Sequence, residues 1–300
     1  MSPMSAPGSA AWNRTSVIGT LAALAIGAAL AFAGSQGSVE IGGLAVFALG
    51  GIIAYGVNLV AFVPSYLAKT EKFYDATGSI TYLSVTAITL AVSDDIDARA
   101  VIVAAMVAVW AVRLGSFLFA RIRRDGSDGR FDTIRGDFRR FLMTWMLQGL
   151  WVFLTLAAAL AIITSDDRED LGIIAVVGIV VWVAGFAIEV VADAQKSAFR
   201  ADPANDGRFI TTGLWAWSRH PNYFGEITLW AGIAIMALPV LSGWRWVALI
   251  SPVFVYILLT RVSGVPLLEY RAKKRWGDEP EFQSYTEHTP VLFPKPPKTH

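Results

Sequence analysis

Eight apolar stretches, most of them long enough to cross a bilayer, alternate with short polar segments along the chain. A transmembrane helix needs about 20 predominantly apolar residues, with a lower limit of about 17. The stretches are residues 17–33, 41–63, 76–93, 99–120, 141–164, 171–192, 224–241 and 243–264. Since 55% of the residues are hydrophobic and only 16% are charged, the sequence predicts an all-α polytopic membrane bundle of about seven to eight helices.

The predicted bundle covers residues 17–264, between an N-terminal segment, residues 1–16, and a C-terminal segment, residues 265–300. Three breaks between the apolar stretches are short and acidic ("GSQGSVE", "SDDID" and "SDDRED"), whereas three others carry the Lys and Arg residues. Loops rich in Lys and Arg face the cytoplasm, so we expect the basic breaks and both terminal segments there. The first stretch could instead be a signal peptide, because Arg14 precedes an apolar core and "AFAG" offers a small-residue cleavage site.

The supply of metal-binding and nucleophilic side chains is small. The sequence has no cysteine, which excludes disulfides, thiolate nucleophiles and Fe–S clusters. Only three histidines are present, His220, His288 and His300. We therefore expect no metal site, since a structural or catalytic zinc site draws most of its ligands from Cys and His.

Two sets of charged residues lie on predicted helices at the ends of apolar stretches. In "EVVADAQKSAFR", Glu189, Asp193, Lys196 and Arg200 are spaced by four, three and four residues, which places them on one helical stripe. The alternative is a ladder of surface salt bridges, each contributing a few tenths of a kcal/mol. In "WAVRLGSFLFARIRR", Arg113 lies about two helical turns inside its stretch, although it could snorkel towards the surface.

The third set is "NDGRFITTGLWAWSRHPNYFGE", which is rich in turn residues before Pro221. Proline fits the first position of a helix, so the sequence predicts a new helix from Pro221. Asn222 and Glu226 then share one face of its first turns, and Gly225 permits close approach of a ligand or another helix. Alternatively, Glu226 could serve only as a partner of the helix dipole.

Guanidinium groups are concentrated in the basic segments. Guanidinium forks suit bidentate phosphate binding, and a helix N-terminus adds backbone donors. We therefore expect a cytoplasmic cofactor that carries a diphosphate. Neither a dinucleotide-binding glycine motif after a strand nor a P-loop occurs, so this cofactor would bind among the helices. The arginines concerned are Arg113, Arg121, Arg124, Arg200, Arg208 and Arg219.

The segment "GLWAWSRHPNYFGE", preceded by "DAQKSAFR" and followed by "SGVPLLEYR" and "YTEHTPVLFP", resembles the steroid 5α-reductase C-terminal family. The resemblance is closest to its uncharacterised, DUF1295-like bacterial branch and covers roughly residues 113–294. It implies a membrane helix bundle with NADPH in a cavity open to the cytoplasm, in a bacterial cytoplasmic membrane. A looser form of "RHPNY-GE" is shared by sterol C14-reductases and isoprenylcysteine carboxyl methyltransferases, so the motif alone does not determine the reaction.

The resemblance also implies a set of cofactor-binding residues. Asn222 and Glu226 match residues on the nicotinamide side, whereas Arg200 and Arg208 match basic residues near the adenosine and phosphate groups. The full set, with the remaining residues of the motif, is Arg113, Arg124, Glu189, Asp193, Arg200, Arg208, Arg219, His220, Asn222, Tyr223, Glu226 and Arg261.

One departure from the steroid reductases concerns the substrate side. Those enzymes use a Gln-Glu pair, helped by a Tyr, to hydrogen-bond the substrate ketone, and no Gln-Glu pair occurs before residue 113. The candidate catalytic donors here are Tyr55, Asn58 and Tyr74, from the second stretch and the segment after it.

The resemblance thus implies an NADPH-dependent oxidoreductase acting on CH–CH groups, similar to 3-oxo-5α-steroid 4-dehydrogenases. Its substrate would be a lipid-soluble, steroid-like or isoprenoid molecule of the enone type, which the protein would meet among membrane lipids. We expect no nucleic-acid partner, and the sequence does not indicate an oligomeric state. The alternatives are a SAM-dependent methyltransferase of the isoprenylcysteine carboxyl methyltransferase type and a non-enzymatic lipid-binding membrane protein.

Overall fold

The computed structural model describes residues 9–125 and 131–297, with side chains described for residues 14–117 and 131–297. This part of the chain is mostly helical and has almost no strand, which confirms the all-α prediction. The ten α-helices in it are α1 Ser9–Gly34, α2 Val46–Leu67, α3 Tyr74–Val92, α4 Ala98–Asp125, α5 Phe138–Ile163, α6 Ile173–Ala201, α7 Pro221–Ala237, α8 Ile250–Ile257, α9 Val265–Trp276 and α10 Pro280–His288.

Seven helical segments of the described chain are long and apolar enough to cross a membrane, as expected of a multi-pass membrane protein. They are Arg14–Gly34, Val46–Leu67, Ala98–Phe117, Phe138–Ile163, Ile173–Ala201, Pro221–Val240 and Gly243–Trp276. The predicted stretch 76–93 does form a helix, α3, but it is not among the seven because it carries many Thr and Ser residues. Orientation in the membrane and the boundaries at residues 16 and 264 stay predictions.

A short hairpin replaces the beginning of the predicted stretch 41–63. Strands β1 (Glu40–Ile41) and β2 (Leu44–Ala45) pair antiparallel, and α2 begins only at Val46. Gly42 and Gly43 form the two-residue turn with φ of 58° and 81°. Positive φ at both turn positions is the geometry that matches the twist of paired strands, and glycine adopts it without strain.

The chain divides into two compact units, and the first, unit 1, comprises Met1–Leu171 and Ala237–Ile250. Helix α5 lies at its centre and contacts α1, α2, α3 and α4. Because α5 is apolar on all sides, it is stable where other helices surround it, and 89% of its apolar window is buried.

A buried arginine ties together three loops of unit 1. Arg245 is 1% exposed. Its Nη1 donates to the carbonyl oxygen of Gly37 and to Ser165 Oγ at 3.0 Å, and its Nη2 donates to Thr164 Oγ1 at 3.4 Å. A buried charge needs such hydrogen bonds to offset lost hydration, so Arg245 is a structural residue that the sequence did not single out.

The second compact unit, unit 2, comprises Gly172–Met236 and Ser251–His300. It contains α6 and α7, followed by α8, a π-helical turn over Leu258–Val262, α9 and α10. Helix α7 begins at Pro221, as the sequence predicted. The stripe from Glu189 to Arg200 lies on the single helix α6, also as predicted.

Candidate functional site

Helices α6 and α7 pack antiparallel with their backbones in contact. A Cβ added to Gly225 would lie 2.6 Å from the backbone nitrogen of Glu189 and 2.6 Å from the carbonyl oxygen of Gly185. Seven residues further along α7, a Cβ on Gly232 would lie 2.7 Å from the carbonyl oxygen of Gly178. Small residues let membrane helices approach this closely. Of the two partners expected for Gly225, a ligand or another helix, the one that it contacts here is the helix α6.

This contact brings two of the sequence motifs together. Because Gly225 packs against the backbone of Glu189, the first turns of α7, with Asn222 and Glu226, lie beside the C-terminal part of α6. Glu189 is buried at 4% exposure, whereas Asp193, one turn further along α6, is partly exposed. The polar start of α7 and the acidic turns of α6 therefore form one polar region of unit 2.

The turn before α7 is held by a C-terminal strap, residues 289–297. Ser218 is fully buried, and its Oγ donates to the carbonyl oxygen of Leu292 at 2.8 Å and accepts from the backbone nitrogen of His220 at 3.2 Å. The backbone nitrogen of Arg219 donates to the carbonyl oxygen of Pro290 at 2.9 Å. The strap thus satisfies polar groups of the turn that no regular helix or strand would satisfy.

Arg219 and His220 converge on one carboxylate of α9. Arg219 Nη1 lies 2.6 Å from Glu269 Oε2, and His220 Nε2 lies 2.8 Å from Glu269 Oε1. The imidazole is 5% exposed and stacks on Tyr223, with ring centroids 5.6 Å apart. Because a carboxylate only accepts, we assign the proton to Nε2. The Nδ1 atom has no hydrogen-bond partner among the described residues.

Arg219, His220 and Glu269 border a cavity of about 340 Å³ within unit 2, here called the basic cavity. Its described lining carries six cationic side chains and a single acidic one, Glu269, whose charge Arg219 offsets. The cavity is therefore suited to an anion. The cations are Lys196, Arg200, Arg208, Arg219, Arg271 and Arg275.

Aromatic side chains form much of the remaining wall of the basic cavity. Lys196 Nζ lies 4.4 Å from the ring centroid of Trp215, a cation–π distance. Phe209 packs edge-on against Phe282 at 5.1 Å between centroids. The hydroxyl of Tyr285 donates to the carbonyl oxygen of Trp215 at 2.7 Å, and burial raises the pKa of this phenol above its ordinary value. Such walls present flat surfaces on which a planar heterocycle can stack.

A family model described as "Protein of unknown function (DUF1295)" matches residues 61–289, which include every residue that lines the basic cavity. The chain belongs to the DUF1295 family. No curated protein and no solved structure matches the chain. The family match covers most of the stretch over which the sequence resembles steroid 5α-reductases, and the DUF1295 description itself names no reaction.

Part of the predicted cofactor set lines the basic cavity in this DUF1295 chain. Its lining includes Arg200, Arg208, Arg219 and His220. Other predicted members of unit 2 are not among the lining residues, namely Glu189, Asp193, Asn222, Tyr223, Glu226 and Arg261. Arg113 is a partly exposed residue of unit 1, and the side chain of Arg124 lies outside the described residues. Roles for these residues stay predictions.

Two of the predicted carbonyl donors are engaged within unit 1. The hydroxyl of Tyr55 donates to the carbonyl oxygen of Ala23 on α1 at 2.6 Å, and that of Tyr74 donates to the carbonyl oxygen of Thr144 on α5 at 3.1 Å. A phenol has one hydrogen to donate. In this structure both hydrogens hold helices together, and a catalytic role for either tyrosine stays a prediction.

The third predicted donor, Asn58, is fully buried on α2. Its Nδ2 donates to the carbonyl oxygen of Ala54 at 2.8 Å and to Thr81 Oγ1 at 3.3 Å, which uses both amide hydrogens. Only its Oδ1 has no partner in the described part of the chain. As placed here, Asn58 could accept a hydrogen bond from a ligand but not donate one, and its catalytic assignment stays a prediction.

Sequence reasoning missed the contribution of the C-terminal helices to the site. Glu269, Arg271 and Arg275 project from α9, and Tyr285 comes from α10. The signal was present in "SGVPLLEYR" and "YTEHTPVLFP", which belong to the resemblance and lie almost wholly after the last apolar stretch. Only the folded chain shows that these polar segments close the cavity around the start of α7.

Proposed function

We propose that the chain is a membrane-embedded, NADPH-dependent reductase of a carbon–carbon double bond in a lipid-soluble, steroid-like or isoprenoid substrate. The observation that carries this proposal is the basic cavity, which combines six cations with aromatic walls beside the "SRHPNYFGE" motif. Support for the reaction type comes from the likeness of this motif and its flanks to the steroid 5α-reductase C-terminal family.

The residues of the basic cavity fit the adenosine and phosphate half of such a cofactor. Arg200 and Arg208 supply exposed guanidinium groups, which bind phosphate oxygens in pairs. The Nδ1 of His220, buried and without a partner among the described residues, can accept a hydrogen bond from a sugar hydroxyl or a base amine. A cavity of about 340 Å³ is near the lower end of ligand pockets, so it holds part of a dinucleotide.

The nicotinamide half would lie along the start of α7, where the resemblance assigns Asn222 and Glu226. An Asn side chain both donates and accepts, as a carboxamide does, so Asn222 can bind the carboxamide in a single orientation. When bound, the cofactor supplies the hydride, whereas the protein supplies binding, orientation and electrostatics. The close contact of Gly225 with Glu189 holds this part of α7 rigidly against α6, which suits a positioning role.

Two alternatives differ in how they use the cations. A SAM-dependent methyltransferase would bind a ligand with one carboxylate and no phosphate group, so most of the six cationic side chains would have no partner on it. A non-enzymatic protein would use the cations for anionic lipid headgroups, but would not need a buried imidazole or aromatic walls beside them.

The deciding experiment is a thermal-stability measurement on the detergent-purified full chain with NADPH, NADH, SAM and anionic lipid. At about one hundred times Kd, a ligand adds about 2.7 kcal/mol to the free energy of unfolding. We expect the largest stabilisation from NADPH and a smaller one from NADH. Stabilisation by SAM and none by NADPH would establish the methyltransferase alternative. Stabilisation by anionic lipid and by none of the other ligands would establish the headgroup alternative.

Two variants test whether the start of α7 binds the nicotinamide half of the cofactor and the basic cavity binds the adenosine half. Asn222→Ala and Glu226→Gln should weaken the response to NADPH but keep the response to adenosine 2′,5′-bisphosphate, which lacks the nicotinamide. An unchanged NADPH response in both variants would refute their assignment to the nicotinamide side.

A further inference from the structure

A groove between α3 and α4 of unit 1 has the features of a lipid-binding site. It has a volume of about 290 Å³ and opens on the surface of unit 1. On α3 it is lined by residues spaced at i, i+3, i+4 and i+7, which form one helical face. The lining residues, here called the α3–α4 groove, are Ala76, Ser79, Ile80 and Leu83 on α3 and Ala111, Val112, Gly115 and Ser116 on α4.

The rim of the α3–α4 groove is apolar and its floor is not. Ile80 and Val112 are 55% and 54% exposed, and exposed apolar surface on a membrane-spanning bundle contacts lipid chains. Beneath them, Ser79 is only 7% exposed. A Cβ added to Gly115 would lie 2.9 Å from Ser79 Oγ, so the Ser79 side chain packs directly against this glycine of α4.

The hydroxyl of Ser79 differs from its neighbours in its hydrogen bonding. On α3, Thr77 and Thr81 each donate to the carbonyl oxygen four residues earlier, at 2.8 and 2.7 Å. Within the groove, Ser116 donates to the carbonyl oxygen of Val112 at 2.7 Å. Ser79 Oγ, by contrast, has no hydrogen-bond partner in the described chain. Leaving a hydroxyl unpaired away from water is unfavourable, and a hydrogen bond to a ligand oxygen would offset that cost.

Ser79 also supplies what the other candidate donors of unit 1 lack. The hydrogens of Tyr55, Asn58 and Tyr74 are all donated to acceptors of the chain itself. The buried Ser79 hydroxyl has no acceptor among the described residues, and Ser79 lines the groove. A helix of a second copy does not fit into the groove. A helix is about 10 Å across, which is wider than a groove of about 290 Å³ can enclose.

We propose that the α3–α4 groove binds the oxygen-bearing end of a membrane-dissolved lipid, whose carbonyl or hydroxyl oxygen accepts a hydrogen bond from Ser79. The volume suits the end of such a molecule, while the remainder lies along the apolar rim. Naming this lipid as the substrate rests on the proposed reductase function; the binding itself does not.

The test is photolabelling of the full chain in lipid nanodiscs with a long-chain methyl ketone that carries a diazirine next to its carbonyl. A hydrocarbon of the same length, with the diazirine at the same carbon, is the reference probe. We expect the ketone to label α3 and α4 at least about fivefold more than the hydrocarbon, since a hydrogen bond is worth about 1 kcal/mol. Ser79→Ala should remove this preference.

Matched variants separate the hydroxyl from general effects. Ser84→Ala makes the same change on α3 outside the groove and should keep the preference for the ketone. Gly115→Ala should reduce it, because the new Cβ would lie 2.9 Å from Ser79 Oγ and force the hydroxyl to move.

Equal labelling by ketone and hydrocarbon, or a preference that survives Ser79→Ala, would overturn the proposal and leave only contact with bulk lipid. The NADPH stability response is measured on the same preparations. If the ketone preference is intact but NADPH does not stabilise the protein, the reductase function is refuted and the groove proposal stands. If NADPH stabilises the protein but the ketone preference is missing, only the groove proposal is refuted.

Discussion

Nε2 of His220, at the start of α7, lies 2.8 Å from Oε1 of Glu269, on α9. The two residues are 49 positions apart in the sequence. Their contact, together with the Arg219 pair on the same carboxylate at 2.6 Å, joins the "SRHPNYFGE" motif to the C-terminal helices. The motif is therefore one side of a site, and Glu269 sets the orientation of the imidazole that borders the basic cavity.

Glu269→Gln should lower both stability and ligand binding. Arg219 and His220 have side chains 15% and 7% exposed, and the variant leaves the arginine charge without its carboxylate. We expect the free energy of unfolding to fall by about 1–3 kcal/mol, with a weaker NADPH response. Thermal denaturation in detergent measures both. Glu287→Gln, at an exposed position of α10, is the control, and an equal loss there would contradict a specific role for Glu269.

Arg200→Gln should weaken NADPH binding about tenfold, the effect of losing one charge-assisted hydrogen bond to phosphate. NADH, which lacks the 2′-phosphate, should lose less if Arg200 contacts that group. Arg139→Gln is the matched control, because Arg139 is exposed, does not line the basic cavity and is not in the predicted cofactor-binding set. Ligand titrations followed by intrinsic Trp fluorescence provide the affinities. Equal losses in the two variants would favour general charge attraction over a defined phosphate site.

Gly225→Ala should disrupt the contact between α6 and α7. The added Cβ would lie 2.6 Å from backbone atoms of Glu189 and Gly185, which cannot rotate away. Overpacking of this kind costs about 1–3 kcal/mol or more. Gly56→Ala on α2 meets no atom within 4 Å and should stabilise its helix by about 0.5–1 kcal/mol. Melting temperatures in detergent compare the two, and a tolerated Gly225→Ala would show that the helices separate freely.

Leu292→Ala should loosen the C-terminal strap. Leu292 is 6% exposed and its carbonyl oxygen accepts from Ser218. Truncation of a buried leucine typically costs about 2–5 kcal/mol. Val291→Ala, one residue earlier and 37% exposed, should cost less than about 1 kcal/mol. Limited proteolysis after residue 289 and thermal denaturation report the change; indistinguishable variants would argue that the strap does not support the turn.

The sequence predicted those parts of the fold that depend on local pattern. Long apolar stretches predicted the helices, and proline at the first helical position predicted the start of α7 at Pro221. The prediction at 41–63 was wrong at its beginning, because Gly42 and Gly43 form a hairpin turn before α2. Hydropathy alone does not register such a turn, since its neighbours are apolar.

The candidate site was predictable only in part. Arg200, Arg208, Arg219 and His220 were singled out from the sequence and line the basic cavity. Glu269 and Tyr285 were not, because nothing local in α9 or α10 says which polar residue will face the start of α7.

By itself, the sequence determined the helical class, the approximate spans and the motif at Pro221, because apolar length, proline geometry and residue spacing act within a few turns of chain. The tertiary structure decided which polar groups meet. The pairing of His220 with Glu269, the approach of Gly225 to Glu189 and the unpaired hydroxyl of Ser79 all depend on contacts between separate elements. Such contacts follow from packing and hydrogen-bond satisfaction across the whole unit, which no local pattern encodes.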